Sequence, residues 1–426
     1  MIYLKVGKKV HPLSYKKYQE KIMNQPWINK DKHTSLYNFL DIPQEELNFP
    51  NDIVVTDCTL RESDQYAGVA LTKEDKVTFA SALDKVGIQQ IEIGMPAITP
   101  EERETAEAIV NLGLKAKLIA LCRAKKEDID LAASLGVWGA VVSMPSGYLQ
   151  IEKRLKWEPQ RVIDTAMEMA SYAHEKGLFV DLSPYDTTRA HPDFLQKYIS
   201  TVTAQGTVDR VRLVDTTGCI TPHGIRSLIK IMREVTDLPI ELHLHNDFGL
   251  AVASTIAGLG AGANVISSSF NGMGERSGNT PTEEVVTALH LLYNIDIGLN
   301  YDKVYETSLL LQKLTGVKMH PHKSVVGQNS FTQISGLVLA GFKEDPFVGL
   351  SYLPEVVGQI TTVSLGKATG KASIEWKLEQ LGLDASDDQI RKIVLLVKDF
   401  ALANHGEVSD NEFRRIVKEV ADNSEN

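Results

Sequence analysis

Cysteine is scarce in this chain of 426 residues: Cys58, Cys122 and Cys219 are widely spaced and odd in number, and no two form a CxxC pair. Neither a disulfide framework nor a thiolate zinc site is therefore expected, and each thiol is expected to pack as a small apolar side chain. No run of about 18 apolar residues occurs, so no membrane span is expected. The N-terminal stretch MIYLKVGKKVHPLSYKKYQEKIMNQPW has neither the apolar core of a signal peptide nor the arginines of a transit peptide, which makes a cytoplasmic location the expectation. Positive charge is in deficit, with 45 Lys and Arg against 55 Asp and Glu. The net charge of −10 argues against general affinity for nucleic acid or anionic membranes. A small anion needs only local positive charge and is not excluded. A glycine-rich phosphate loop after the first apolar run, the mark of an open doubly wound sheet, is also missing; that run ends in charges instead.

What is present is a rhythm. From residue 52 to about 295, short runs rich in β-branched residues alternate with amphipathic segments that often close on glycine. The runs are DIVVTDCTL, IQQIEIGMP, AKLIALCRA, VWGAVVSMP, GLFVDLSPY, VDRVRLVDTT, LPIELHLHND and NVISSSFNGM. Segments such as TKEDKVTFASALDKVG and TPEERETAEAIVNLG open on a Thr N-cap with an acidic first turn. Eight βα units in about 250 residues predict a closed (β/α)8 TIM barrel over 52–295. Residues 1–51 are expected to form an N-terminal arm, and 296–426, where the rhythm stops, a smaller mainly helical C-terminal region.

In such a barrel the C-terminal ends of the strands form the active face. The first run ends in Asp57, Arg61, Glu62, Asp64 and Gln65, the second carries Glu92, the third ends at Arg123, the fifth runs through Tyr185 to Arg189, and the sixth ends in VDTTG. His243 and His245 are the sharpest feature: two apart on a strand, they point to one side, where one divalent metal could take both imidazoles. A carboxylate should complete the set, with Glu62 the best candidate, and such mixed ligation suits Mn²⁺, Mg²⁺, Co²⁺ or Zn²⁺. Arg61, beside that ligand, suits stabilisation of an oxyanion, and Glu92 could hold it by a bidentate pair. The loop NGMGERSGNTP allows close backbone approach and offers amides at a helix N-terminus, where phosphate or a carbonyl could bind; Gly272, Gly274, Glu275, Arg276 and Gly278 are its candidate contacts.

DCTLRESDQ, IEIGMP, VDTTG, HLHNDFGLA and NGMGERSGN, in this order, resemble the acyl-transferring branch of the DRE-TIM metallolyases, the 2-isopropylmalate, homocitrate and citramalate synthases. The resemblance covers about residues 52–400. It implies a divalent metal held by Glu62, His243, His245 and Asn279, a catalytic Arg61 supported by Glu92, and substrate contacts at Gln65 and Thr216, with Arg123, Tyr185 and Arg189 on the substrate side. It further implies Claisen-type condensation of acetyl-CoA, or a related acyl-CoA, with a 2-oxo acid, and a homodimer.

The chain departs from that family's pattern at Ser63, Asp64 and Tyr185. After the barrel, Val338 and Gly349 stand where the family carries a His and a Tyr credited with proton transfer, and neither residue moves a proton. His320, His322 and Tyr352 are the candidates for that role. The alternative is an aldolase or lyase of the same superfamily that makes or breaks a C–C bond without this pair. Metal-dependent hydrolysis is a further alternative, although amidohydrolase barrels carry His-x-His near the first strand rather than the seventh. No regulatory domain is expected after the C-terminal helices.

Overall fold

The computed structural model describes residues 3–6, 9–12, 25–39 and 47–423. Eight parallel strands close into a ring: β1 (Val54–Asp57), β2 (Gln90–Glu92), β3 (Lys117–Arg123), β4 (Gly139–Pro145), β5 (Phe179–Tyr185), β6 (Arg210–Asp215), β7 (Ile240–Leu244) and β8 (Val265–Ser268). Each strand pairs with its sequence neighbour, and β8 closes on β1 with Ser268 opposite Asp57. Between them run α1 (Lys73–Val86), α2 (Pro100–Val110), α3 (Lys126–Leu135), α4 (Pro159–Glu175), α5 (Pro192–Thr203), α6 (Pro222–Arg233) and α7 (Ala251–Leu259), with α8 (Thr282–Leu292) after β8. The expected TIM barrel is therefore the observed one.

Local chemistry sets these helices. Thr72 and Asp75 form a reciprocal capping box at the start of α1, which ends at Gly87 with φ of 90°. Thr99 and Thr221 accept amides at the starts of α2 and α6, each followed by a proline in the first turn. Helix α4 buries Val162, Ile163, Ala166, Met169, Ala170 and Ala173 along one face. Its three larger apolar side chains contribute roughly 1.5–3 kcal/mol each by leaving water. On β7 the alternation is strict: Leu242 faces α7, where a Cβ on Gly258 would stand 2.5 Å from it, while Glu241 and His243 point into the barrel.

Two compact units are present, one spanning residues 38–319 and one combining 1–37 with 320–426. The first includes α9 (Val304–Thr315), which packs on α1; the expected boundary at 295/296 precedes this helix. In the second unit, α10 (Gly336–Phe342), α11 (Lys371–Leu381), α12 (Asp387–Asn404) and α13 (Asp410–Asp422) share a core that includes Leu339, Ile374, Ile393, Val397, Phe413 and Ile416. Of the N-terminal arm, Tyr3–Val6 and Lys9–Pro12 form an antiparallel pair, and the arm's residues 1–2, 7–8, 13–24 and 40–46 lie outside the described residues. Among the described residues no helix is long and apolar enough to cross a membrane.

Candidate active site

The short helix Thr59–Glu62 follows β1 directly and turns Arg61 and Glu62 over the barrel mouth. Asp57 pins this turn by accepting from the Thr59 amide at 2.9 Å, and Thr59 in turn accepts from the Phe270 amide at 2.8 Å. Behind the turn lies Lys76 of α1, only 1% exposed, which donates to Asp64 at 2.5 Å and also pairs with Glu102 of α2. Asp64, an unusual residue for the motif, thus has a partner that fixes the turn to two helices.

Glu62, His243, His245 and Asn279 are all buried at the mouth. His243 Nε2 lies 3.3 Å from Glu62 Oε1, while its Nδ1 is bonded to Ser267 Oγ at 2.9 Å, an orienting contact of the kind that holds a metal-ligating ring. The two imidazoles meet edge to face with centroids 5.4 Å apart. His245 and Asn279 form an isolated backbone bridge. Glu62 Oε2, His245 Nδ1, and both Oδ1 and Nδ2 of Asn279 are buried without a hydrogen-bond partner among the described residues. A Cβ on Gly274 would lie 3.0 Å from Glu62 Oε2 and 2.9 Å from Asn279 Nδ2, so only glycine leaves this space free. The orphaned Glu62 and Asn279 atoms around this space, with His243 Nε2 beside Glu62, fit a divalent cation, since buried polar atoms otherwise find partners, whereas His245 stands outside the set of mutually close donors, which is Glu62, His243 and Cys58.

The charge states agree. Burial would raise the Glu62 carboxyl, but Arg61 and then His243 and His245 outweigh it and hold the group well below the carboxylate range. Burial, helped by His243, pushes His245 down to about 4, so its ring is neutral near pH 7 with a lone pair to offer. Cys58 Sγ also lies with the Glu62 and His243 donors inside 4.8 Å. Its thiol donates to the Ser268 carbonyl at 3.1 Å, and burial pushes it well above the ordinary thiol range.

Arg61 is clamped on two sides, by Glu92 through Nε and by Glu62 through Nη1 at 2.6 Å, leaving Nη2 with no partner among the described residues. Glu92 does not act alone. Its other oxygen accepts from Arg212 Nη1 at 2.6 Å, and Arg212 Nη2 reaches Glu241 at 2.8 Å and Asp181 at 3.0 Å. Arg210 then joins Asp181 at 2.9 Å, Glu241 at 2.7 Å and Gln90 at 2.7 Å. The interior of β2, β5, β6 and β7 is thus an ion-pair ladder where barrels of this kind usually stack Val, Ile and Leu. Burial would raise Glu92, but Arg61 and Arg212 outweigh it and bring the carboxyl down to about 2.

Sequence reading missed this ladder, although its signal was there: Arg210 and Arg212, like Glu241 and His243, sit at alternate positions of strands with no exposed residue. Arg212→Met is expected to cost about 3–5 kcal/mol, because three buried carboxylates lose a partner at once. Denaturant unfolding reads this directly, and a loss under about 1 kcal/mol would mean that these groups are not held as ions.

The remaining expected contacts divide into two groups. Thr216 Oγ1 accepts from the Asp186 amide at 2.9 Å, and the Thr216 carbonyl accepts from Arg276 at 2.7 Å, so both lie beside His245 on the β6–β8 side. Arg276 is also held by Asp247 at 2.8 Å. Gly278 has φ of +78° and a Cβ there would stand 1.8 Å from the Gly272 carbonyl, so the loop closes tightly on itself. The expected anion cradle at its helix start differs from the structure: the Thr282 amide is donated to Ser269 at 2.9 Å, and those of Gly278 and Asn279 to Glu275 and Gly272.

Gln65 is exposed on the turn after Glu62. Arg123 is bound by Asp128 through Nε at 2.8 Å and Nη2 at 2.9 Å, and Arg189 by Asp186 at 2.7 and 2.9 Å. Tyr185 lines a cavity of about 360 Å³ with Leu121, Arg123, Lys125, Ser143 and Arg154. Arg154, which sequence reading passed over, donates to the Tyr185 hydroxyl.

In the second unit, a Cβ on Gly349 would lie 3.0 Å from Val338 Cγ1, so the two departures from the expected His and Tyr are neighbours in space. His320 and His322 stack edge to face at 5.4 Å, and Tyr352 packs against Phe331 at 5.2 Å.

Comparison with known proteins places this arrangement. The HMGL-like family model matches residues 52–311, and the homocitrate synthase post-HMGL domain-like model matches 325–405. The chain is 39% identical to homocitrate synthase AksA of Methanothermobacter thermautotrophicus, over 88% of this chain and 96% of that one. It is 38% identical to a probable 2-isopropylmalate synthase of Ignicoccus hospitalis, over 90% and 96% of the two chains. It is also 36% identical to the (R)-citramalate synthase CimA of Methanocaldococcus jannaschii, over 86% and 74%. Among solved structures, the HMG-CoA lyase of Bacillus subtilis shares the fold at a TM-score of 0.59 and 19% identity, over 65% of this chain and 98% of that one. These relatives are named as synthases, which does not favour the aldolase or lyase alternative. The chain belongs to the HMGL-like family of the DRE-TIM metallolyases, in the branch of the homocitrate, 2-isopropylmalate and citramalate synthases.

Proposed function

We propose that this protein is a divalent-metal-dependent acyltransferase that condenses acetyl-CoA, or a related acyl-CoA, with a 2-oxo acid. The observation that carries this reading is the meeting of unpartnered Glu62 and Asn279 atoms around the space at Gly274, beside His243 and a clamped Arg61. When bound by Glu62, His243, His245 and Asn279, a divalent metal supplies Lewis acidity toward the keto and carboxylate oxygens of the 2-oxo acid.

The chain's own groups do the rest. Glu92 and Glu62 hold the Arg61 guanidinium charged and fixed, so Nη2 is the edge that meets the keto oxygen as negative charge develops there. The acetyl methyl loses a proton, its carbon bonds to the keto carbon, and the keto oxygen takes up a proton. Hydrolysis of the thioester then releases CoA and leaves a 2-hydroxy acid with one carboxylate more than the acceptor. Val338 and Gly349 supply no group for the first proton transfer, so that base lies elsewhere. Thr216 and Gln65 are the further substrate contacts of this reading, which also includes a cytoplasmic homodimer and leaves Mn²⁺, Mg²⁺, Co²⁺ and Zn²⁺ as metals to compare.

The test is direct. Purified protein with Mn²⁺, acetyl-CoA and a panel of 2-oxo acids is expected to release free CoA, measured with a thiol reagent, only when an acceptor is present. No release with any acceptor and any of the four metals would sink the synthase reading.

A further inference from the structure

Two of the three cysteines sit where a thiol has no evident task. Cys122 is buried against the Ala120 and Asp128 carbonyls, and Cys219 is exposed among Thr188, Thr217 and Asp215. Cys58 is placed differently. It follows Asp57, the last residue of β1, and heads the short helix that turns Arg61 and Glu62 over the barrel mouth. There β8 joins β1 to β7, with Ser268 opposite Asp57 and Ser267 opposite His243, so the sulfur enters the mouth on the side of that histidine.

Cys58 is fully buried, and its Sγ, one Glu62 carboxylate oxygen and one His243 ring nitrogen lie within 4.8 Å of one another. Among the described residues no other three His, Cys, Asp or Glu donors are grouped so closely. Bonds of about 2.0–2.3 Å to a single ion keep any two donors within about 4.6 Å, so these three already stand near the span that one ion bridges. A second observation points to a cation at this place. Glu62, 1% exposed, has an Oε2 with no hydrogen-bond partner, and it shares with the unpartnered Asn279 amide the space that a side chain on Gly274 would fill. Releasing the thiol from its present contact costs the fold little. It donates to the Ser268 carbonyl at 3.1 Å, but the Cys58 amide already donates to that oxygen at 2.8 Å, so the carbonyl keeps a partner when the sulfur turns away.

We propose that Cys58 is a direct ligand of the divalent metal, beside Glu62 and His243, and that its sulfur makes this a site for Zn²⁺ or Co²⁺ rather than Mg²⁺ or Mn²⁺. This rests on the metal-dependent reading above and narrows its four metals to two. On binding, the S–H proton passes to solvent and the sulfur electron pair goes to the ion, with no change of oxidation state. Thiolate is a soft ligand that suits zinc, whereas Mg²⁺ and Mn²⁺ favour carboxylate, carbonyl and water oxygens.

Cobalt makes the bond visible. Protein stripped with a chelator and reloaded with Co²⁺ is expected to show a near-ultraviolet sulfur-to-cobalt charge-transfer band, which Cys219→Ser retains and Cys58→Ser loses. Serine keeps the size of the side chain and a donor for the Ser268 carbonyl, and the visible ligand-field bands, which need no sulfur, report that the variant still holds the ion. Zn²⁺ affinity, read by competition with a chromogenic chelator, should fall at least about tenfold in Cys58→Ser, while Mn²⁺ affinity stays within about threefold. Bound Co²⁺ without the charge-transfer band in the parent protein overturns the assignment even if Cys58→Ser fails to fold, and so does equal Zn²⁺ affinity in parent and variant. Either result leaves the synthase reading standing, because release of CoA with each metal is scored separately. A parent protein that binds none of the four metals removes both.

Discussion

Replacing His243 and His245 together by alanine is expected to strip the protein of its divalent metal and to abolish condensation. Both rings are buried, Ser267 orients that of His243, burial keeps that of His245 neutral near pH 7, and the two make up half of the four expected ligands. Loss of outer-shell partners alone commonly costs 10–100-fold in metal affinity, so loss of two direct ligands should exceed about a hundredfold. Elemental analysis after dialysis reads this without any assay of turnover. Metal content equal to that of the parent protein would remove His243 and His245 from the ligand set. The Ser267→Ala variant offers a graded control, because it removes only the hydroxyl that orients His243 and should weaken rather than erase binding.

The second large effect concerns Arg61. Arg61→Ala is expected to lower kcat by about a hundredfold or more, with a smaller change in KM for the 2-oxo acid, because the charge it meets develops in the transition state. Lysine should not restore the rate: a point charge cannot span Glu62 and Glu92 while presenting a third edge to substrate. The fold should survive this substitution. Glu92 keeps Arg212 at 2.6 Å and Glu62 keeps His243 Nε2 at 3.3 Å, so each carboxylate retains a polar neighbour. Arg61 and Arg212 therefore separate cleanly, the first acting on rate and the second on stability. Turnover within a few-fold of the parent for Arg61→Ala would reduce the residue to a structural ion pair at the rim.

The barrel and its mouth were legible in the sequence because both depend on local regularities. Strand period, Thr caps and closing glycines mark eight units, and the rule that sites lie at strand ends then brings Arg61, Glu62, His243 and His245 together from 180 residues apart. What was not legible depends on partners remote in the chain. Glu92 and Arg212 are 120 positions apart, and nothing around either announces the other. The Asp64 departure looked anomalous until the structure set it against Lys76. Arg154 lay in a stretch without helical or strand period, and only the π-helical turn Gln150–Leu155 brings it back to Tyr185.

The charge ladder also bears on how the ring assembles. Asp181, Arg210, Arg212 and Glu241 lie within ion-pair distance of one another among β5, β6 and β7, three consecutive strands. Glu92, by contrast, needs β6 from across the chain, since Arg212 bonds one of its two oxygens. The later strands can therefore pair these groups among themselves, while Glu92 of β2 lacks its second partner until β6 is in place. The Arg61 clamp is thus braced from behind only once β6 has joined the ring, so the oxyanion-facing edge depends on a strand that carries none of the metal's expected ligands.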